Sequence, residues 1–123
     1  MNAKQWVFTV LFCSATYAAE PAVPVLNAPL QDAVNIPART LLIWNAAVGA
    51  ATYHIQLATD SLFNDMILND STLRTASRMI GPLPVDTKYY WRVRAKNASG
   101  VGAFSATWSF TTGTKKFFGL FDQ

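Results

Sequence analysis

Strict alternation of apolar and polar side chains is the sequence feature that most constrains this chain. The stretch from Tyr89 to Asn97 reads YYWRVRAKN, with a basic residue at every second position after its aromatic start. Successive side chains of a β-strand point to opposite faces, so this stretch predicts a strand with one buried and one solvent-facing side. The inward residues are Tyr89, Trp91, Val93 and Ala95, and the outward residues are Tyr90, Arg92, Arg94 and Lys96. We expect a central core strand whose outer side carries aromatic and basic groups.

Shorter runs of the same kind, separated by turn residues, fill the rest of the chain. The run ATYHIQLATD places Tyr53, Ile55 and Leu57 on one side, with His54 and Gln56 on the other. Four prolines restrict residues 21–38 to an edge strand and a loop, because proline cannot donate a ladder hydrogen bond. With no long run of helical period, seven short strands predict an antiparallel β-sandwich.

Residues 1–19 have the composition of a signal peptide. Lys4 precedes an apolar run, and the small residues Ala18 and Ala19 suit a cleavage site. The run is shorter than the roughly 20 residues that span a bilayer, which favours a cleaved signal over an anchor. Cys13 is the single cysteine, and Phe12 stands before it where a lipoprotein signal requires a small residue. We expect a periplasmic or extracellular protein without a lipid anchor.

The spacing of apolar and turn residues from Pro24 to Thr112 resembles a fibronectin type III domain, of the kind found in exported bacterial proteins. The residues that carry the resemblance are Leu42, Trp44, Tyr53, Ile55, Leu57, Ile80, Leu83, Thr87, Tyr89, Trp91, Val93, Ala95, Asn97, Gly100, Ser105 and the closing WSFTT motif, residues 108–112. The resemblance implies an all-β, immunoglobulin-like, seven-stranded Greek-key sandwich over residues 20–112. The predicted core consists of Leu42, Trp44, Tyr53, Ile55, Leu57, Ile80, Leu83, Tyr89, Trp91, Val93, Trp108 and Phe110.

Groups that could perform chemistry are few. The formal net charge is +3, and removal of residues 1–19, with Lys4 and no acid, leaves +2, which is too small to indicate a nucleic-acid partner. His54, the one histidine, alternates onto an open sheet face rather than into a cleft. The Asp and Asn residues between positions 60 and 70 suit turns and do not have the spacing of a calcium loop. We expect no enzyme activity and no catalytic, cofactor or metal site.

The outer side of the predicted core strand is the candidate partner site. If the strands around Ile55 and Val93 pair, as the resemblance implies, five residues lie together on a surface that we call the cationic face: His54, Gln56, Tyr90, Arg92 and Arg94. The competing interpretation is an ordinary solvated sheet face, on which loss of the Arg92 side chain changes stability by only about 0.5 kcal/mol.

Two functions fit this organisation. The leading prediction is an exported, non-catalytic binding or structural module that contacts an unidentified protein or cell-surface component. The alternative is an accessory carbohydrate-binding or spacer domain associated with an extracellular carbohydrate-active enzyme. In that alternative, Tyr90 or Phe104 would stack on a sugar ring.

The C-terminal tail, residues 113–123, contains a cluster of apolar side chains. Phe117, Phe118, Leu120 and Phe121 would share one face of a helix and could contact a membrane or a partner groove. Residues 115–123 are too few for a stable isolated helix, which needs roughly 12 to 15 residues. We therefore favour an interpretation in which the phenylalanines fold back onto the sandwich.

Export should remove the first 18 or 19 residues, because the small residues Ala18 and Ala19 follow the apolar run. Intact-mass measurement of protein recovered outside the cytoplasm should give a chain that begins at Ala19 or Glu20. A product that begins at a lipid-modified Cys13, or an exported protein that retains Met1, would contradict this prediction.

Overall fold

The computed structural model describes residues 19–114, and within them every regular element is a β-strand. The expected signal peptide, except its last residue, and the apolar cluster of the tail lie outside the described residues. The strands are β1 (Val25–Ala28), β2 (Ala33–Ile36), β3 (Thr40–Asn45), β4 (Thr52–Ala58), β5 (Met66–Leu73), β6 (Ser77–Ile80), β7 (Lys88–Asn97), β8 (Gly100–Val101) and β9 (Trp108–Thr112).

Two sheets form the sandwich. The smaller sheet has the order β1-β3-β6, and the larger has the order β2-β9-β7-β4-β5, with β8 also paired to β7. All pairs are antiparallel except the parallel pair of β2 and β9. The expected all-β sandwich is confirmed.

The proline-rich segment accounts for one of the two strands by which the nine observed exceed the seven expected. Instead of one edge strand and a loop, residues 21–38 contain β1 and β2, which lie at the edges of different sheets. The chain changes sheets at a turn in which the Ala33 amide donates to the Leu30 carbonyl and Asp32 has a φ of 63°. Both strands are edges, and Pro24, Pro29 and Pro37 stand just outside them, at positions that need no ladder hydrogen bond. The additional β8 is only a two-residue strand beside β7.

The core is built around the inward side of β7. Burial alternates along this ten-residue strand, and the side chains of Trp91, Val93 and Ala95 are completely buried. The rings of Trp91 and Trp108 meet edge to face with centroids 6.5 Å apart, a favourable arrangement for aromatic pairs. Ten of the twelve residues predicted for the core are buried, whereas Leu83 and Trp108 are partly buried and pack against it. Leu26 of β1 is a further core residue, from the segment expected to hold an edge strand and a loop.

The corner after β6 depends on a glycine. Gly81 has a φ of +110°, and a Cβ atom at this position would lie 2.3 Å from the Ala38 carbonyl oxygen. The same carbonyl accepts a hydrogen bond from the Leu83 amide. A side chain would therefore collide with the backbone that this corner packs against.

No helix suited to crossing a membrane is found between residues 19 and 114.

Truncation of Trp91 should be among the most damaging changes to this core. Trp91→Ala is expected to lower the free energy of unfolding by about 3 to 5 kcal/mol, because the cavity would lie at the centre of the sandwich. Trp91→Phe should cost less, since it keeps an aromatic ring and removes an indole N–H that has no hydrogen-bond partner among the described residues. Urea unfolding, with Val48→Ala at a site 83% exposed as the control, measures both effects. An unchanged unfolding midpoint in Trp91→Ala would contradict the register of β7.

Candidate functional site

Antiparallel pairing of β4 with β7 brings the cationic face together. His54 lies opposite Arg94, Gln56 opposite Arg92, and Ala58 opposite Tyr90. Directly opposed residues of an antiparallel pair have Cβ atoms about 4.5 to 5.5 Å apart, so their side chains meet on one side of the sheet. All five residues predicted for this face are therefore neighbours on the outer side of the larger sheet.

Arg92 is clamped between two phenyl rings. Its Cζ atom lies 4.1 Å from the ring centroid of Phe63 and 4.1 Å from that of Phe104. Its Nε atom donates a hydrogen bond of 2.8 Å to Oε1 of Gln56. Phe63 comes from the turn between β4 and β5, and Phe104 from the segment between β8 and β9. This arrangement, which we call the Arg92 clamp, ties two loops to the sheet through one guanidinium.

The turn that carries Phe63 is organised by a carboxylate. Asp60 accepts hydrogen bonds from the backbone amides of Asn64 and Asp65, at 3.0 and 2.8 Å. These bonds stabilise the ionised form and hold the pKa of Asp60 below its ordinary value. Phe63 has a φ of 58° and is buried under the turn. Both carboxylate oxygens of Asp60 thus accept backbone hydrogen bonds within the turn. Residues 19–114 contain no group of three side chains that could hold a metal ion.

A second chain of hydrogen bonds orders the other half of the face. Nε of Arg94 donates to Nδ1 of His54 at 3.1 Å, so this ring nitrogen is the acceptor. The hydrogen-bond network then assigns the proton to Nε2, which donates to Oδ1 of Asn69. The same Asn69 oxygen accepts a bond of 3.3 Å from Nε2 of Gln56. Both ring nitrogens of His54 are therefore engaged, and neither contacts a carboxylate among the described residues.

Two outward residues of β4 are less accessible than alternation indicates. Gln56 is only 8% exposed and Ala58 is completely buried, although both alternate with the core residues of their strand. The physical reason is the Arg92 clamp, because the Phe63 turn and the Arg92 side chain lie over this part of the sheet. Arg92 is itself half-buried rather than fully solvated. Burial, followed by repulsion from Arg94, lowers the pKa of the Arg92 guanidinium from its usual value.

The charges of this surface are not balanced locally. The only salt bridge within residues 19–114 joins Arg78 to Asp70 at 3.4 Å, and it involves none of the cationic-face residues. Hydrogen bonds from Thr72, followed by Arg78, lower the pKa of Asp70 and keep it ionised. Lys88 lies at the far end of β7, with Nζ 5.4 Å from the ring centroid of Tyr90. The outer side of β7 thus presents basic groups without carboxylate partners in the described part of the chain.

An open depression adjoins the cationic face. Its volume is about 220 Å³, and it extends from the β5 edge across β4 to β7 and β8. It is lined by Thr52, Tyr53, His54, Ser71, Arg94, Lys96 and Val101. We call it the Arg94–Lys96 depression, after the two cations in its wall.

Comparison with solved structures identifies the fold. A Fn3-like protein from Clostridium thermocellum is 23% identical, with a TM-score of 0.53, over 80% of this chain and 96% of that chain. A domain of human fibronectin type III domain containing protein 3 is 20% identical, with a TM-score of 0.59, over 79% of this chain and 90% of that one. The chain has the fibronectin type III fold.

The same fold occurs as part of a longer chain in the twitchin kinase region from C. elegans. That structure is 16% identical, with a TM-score of 0.58, and the match covers 82% of this chain but 19% of that chain. No family model matches the sequence, and no curated protein sequence matches it. Domains with the fibronectin type III fold are generally non-catalytic.

Sequence reasoning placed the five strand residues of the face but missed what surrounds them. Asn69 belongs to the Asp- and Asn-rich stretch that predicts turns, and Phe63 is not among the residues predicted for the face. Phe104 was considered as a sugar platform, whereas its ring is contacted by two guanidinium groups, with Cζ of Arg94 4.4 Å from its centroid. The sequence feature that could have indicated these contacts is a single phenylalanine in each of two loops, combined with a strand rich in arginine. Periodicity cannot reveal such contacts, because the loops have no period.

The Arg92 clamp changes the expected cost of losing the Arg92 side chain. Arg92→Ala should lower the free energy of unfolding by about 2 kcal/mol, through lost cation–π contacts and a lost charge-assisted hydrogen bond. Arg92→Lys should fall between wild type and Arg92→Ala, because an ammonium keeps the charge but not the planar group that stacks. Chemical unfolding measures the difference, with the exposed Lys96→Ala as a control expected to stay within about 0.5 kcal/mol. Equal effects of Arg92→Ala and Lys96→Ala would mean that the clamp contributes nothing.

Proposed function

We propose that this protein is an exported, non-catalytic module that binds a protein or cell-surface component through the cationic face. The observation that carries the proposal is that two arginines are held in place without a salt bridge to any acid among residues 19–114. Arg92 is stacked between two rings, and Arg94 is bonded to His54 and stacked on Phe104. Neither forms a salt bridge with a residue in the described range.

Ordering of these side chains before binding favours an interaction role. Immobilising a flexible side chain at an interface costs about 0.5 to 1.5 kcal/mol, and a guanidinium that is already held avoids part of this cost. Arginine and tyrosine are also enriched among the residues that contribute most to protein–protein binding. Tyr90, Arg92 and Arg94 supply these residue types on alternate positions of one rigid strand.

The surroundings of His54 support a non-catalytic role. A histidine base needs a free nitrogen directed at the reacting group and commonly a carboxylate behind it. Here Arg94 and Asn69 occupy the two ring nitrogens. The site instead resembles a hydrogen-bonded surface network, which suits binding.

Support for export comes from the sequence of residues 1–19. The proposed mature chain contains no cysteine, so its folding in an oxidising compartment would not depend on disulfide pairing. A domain of roughly 100 residues can bury enough apolar surface without such cross-links.

The carbohydrate-binding alternative receives less support from the geometry. Stacking on sugar requires an accessible aromatic face, but Phe104 is contacted by Arg92 and Arg94, and Tyr90 has Lys88 over its ring. If the protein is instead a spacer domain, it needs no accessible aromatic ring. A spacer role predicts that no residue on the cationic face affects association with other molecules.

Site-specific photo-crosslinking tests the proposed face in the organism that encodes the protein. A benzoylphenylalanine at position 90 should give a discrete adduct in the exported fraction. The same group at position 79, which is 55% exposed on β6 of the other sheet, should not. Recovery of the protein only in the cytoplasm would reject export, and an adduct confined to position 79 would reject the cationic face.

A parallel assay tests the non-catalytic part of the proposal. The purified protein and the His54→Ala variant should both fail to turn over glycoside, ester and peptide substrates. Turnover by wild type that His54→Ala abolishes would establish an enzyme instead.

A further inference from the structure

The Arg94–Lys96 depression combines cations with hydroxyl groups. Arg94 and Lys96 come from β7, Thr52 from β4 and Ser71 from β5, so three adjacent strands of one sheet contribute. Thr52 lies directly opposite Lys96 in the β4–β7 ladder. Hydroxyl and cationic N–H groups are donors suited to an anion.

Arg94 is only partly used by the protein itself. Its Nε atom is bonded to His54, but its terminal Nη atoms have no acceptor among residues 19–114. Stacking on Phe104 and the bond to His54 hold the guanidinium plane in one orientation. A planar guanidinium held in this way presents its remaining N–H groups as a fork that matches the two oxygens of a carboxylate.

Lys96 adds a second, unpaired charge to the depression. Its side chain is exposed, and the described residues give it no salt bridge. The one described acid that forms a salt bridge, Asp70, is neutralised by Arg78 and hydrogen-bonded to Thr72. The two cations in the depression are therefore available to an anion supplied by a partner.

We propose that the Arg94–Lys96 depression binds a carboxylate side chain of a partner protein. Arg94 contacts both oxygens of the carboxylate, and Lys96 supplies the second positive charge. This inference rests on the proposed function, because it names the chemistry that the partner must present at that surface. It goes further by separating the roles of the arginines. Arg92 holds the loops in place, whereas Arg94 and Lys96 contact the ligand.

The surrounding charge favours an isolated carboxylate over a polyanion. Sulfated polysaccharides and nucleic acids carry closely repeated charges and bind best along extended basic tracks. The proposed mature chain has a net charge of only +2, and Asp70 precedes Ser71 in the wall of the depression. A single aspartate or glutamate on a partner needs no more than the local pair of cations.

An NMR titration of the ¹⁵N-labelled full chain with a terminally capped decapeptide that carries one glutamate and no other charged group tests the proposal. The largest amide shifts should map to Thr52, Ser71, Arg94 and Lys96. The double variant Arg94→Gln/Lys96→Gln should weaken peptide binding about tenfold or more, because both charged contacts are lost. The matched control is Lys88→Gln/Arg39→Gln, which removes the same charge from other exposed positions and should stay within about twofold.

Other results would overturn the assignment. Equal weakening by the two double variants would mean attraction to overall charge. Binding of a heparin fragment at these residues, without binding of the peptide, would assign the depression to a polysaccharide. Sedimentation showing a dimer that only Arg94→Gln/Lys96→Gln dissociates would assign it to a second copy of the chain.

Thermal unfolding of both double variants checks that each remains folded. Arg94→Lys should weaken binding by a smaller factor, because it keeps the charge but lacks the paired N–H groups of the guanidinium.

The crosslinking assay separates this inference from the proposed function. If the adduct at position 90 persists in Arg94→Gln/Lys96→Gln at wild-type yield, the partner binds the cationic face without contacting the Arg94–Lys96 depression. In that case only the present inference fails. If no adduct forms at position 90 in the wild-type background, the proposed function fails as well.

Discussion

The antiparallel pairing of β4 with β7 is the constraint on which the core and the candidate site both depend. Its register sets Ile55 against Val93 on the inner side and Gln56 against Arg92 on the outer side. A shift of one residue would exchange the two faces of a strand, so Trp91 would enter solvent and Arg92 would enter the core. The hydrophobic stability of the sandwich therefore also fixes where the arginines stand.

The Arg92 clamp connects that register to the loops. Partial burial of a guanidinium is unfavourable unless the group is stacked or hydrogen-bonded, and here Phe63, Phe104 and Gln56 provide those contacts. In return, the two rings cover the outer surface of β4, which explains why Gln56 and Ala58 are buried on the nominally solvated side. Arg92, which was predicted as part of the partner site, thus also stabilises the fold. The terminal nitrogens of its neighbour Arg94 have no acceptor among residues 19–114, and they lie beside an open depression.

Much of the fold was predictable because it follows from local periodicity. The alternation in residues 89–97 and 53–57 indicated two strands and their buried sides, and the resemblance supplied their pairing. The proline-rich segment was harder, since prolines mark edges without saying which sheet each edge belongs to. As a result, β1 and β2 were expected as one strand and a loop. Within the site, the strand residues followed from alternation, whereas Phe63, Phe104 and Asn69 required knowledge of how the loops return to the sheet.

The sequence by itself determined an all-β sandwich, the inward side of its central strand and the basic character of the opposite side, because strand periodicity is a local property. Only the tertiary structure decided which arginine is enclosed and which has terminal nitrogens without an acceptor among residues 19–114. That difference arises from two phenylalanines 41 positions apart in the chain, whose loops meet over Arg92 but leave the terminal nitrogens of Arg94 open. Contacts at such separation depend on the path of the whole chain, and no local pattern encodes them.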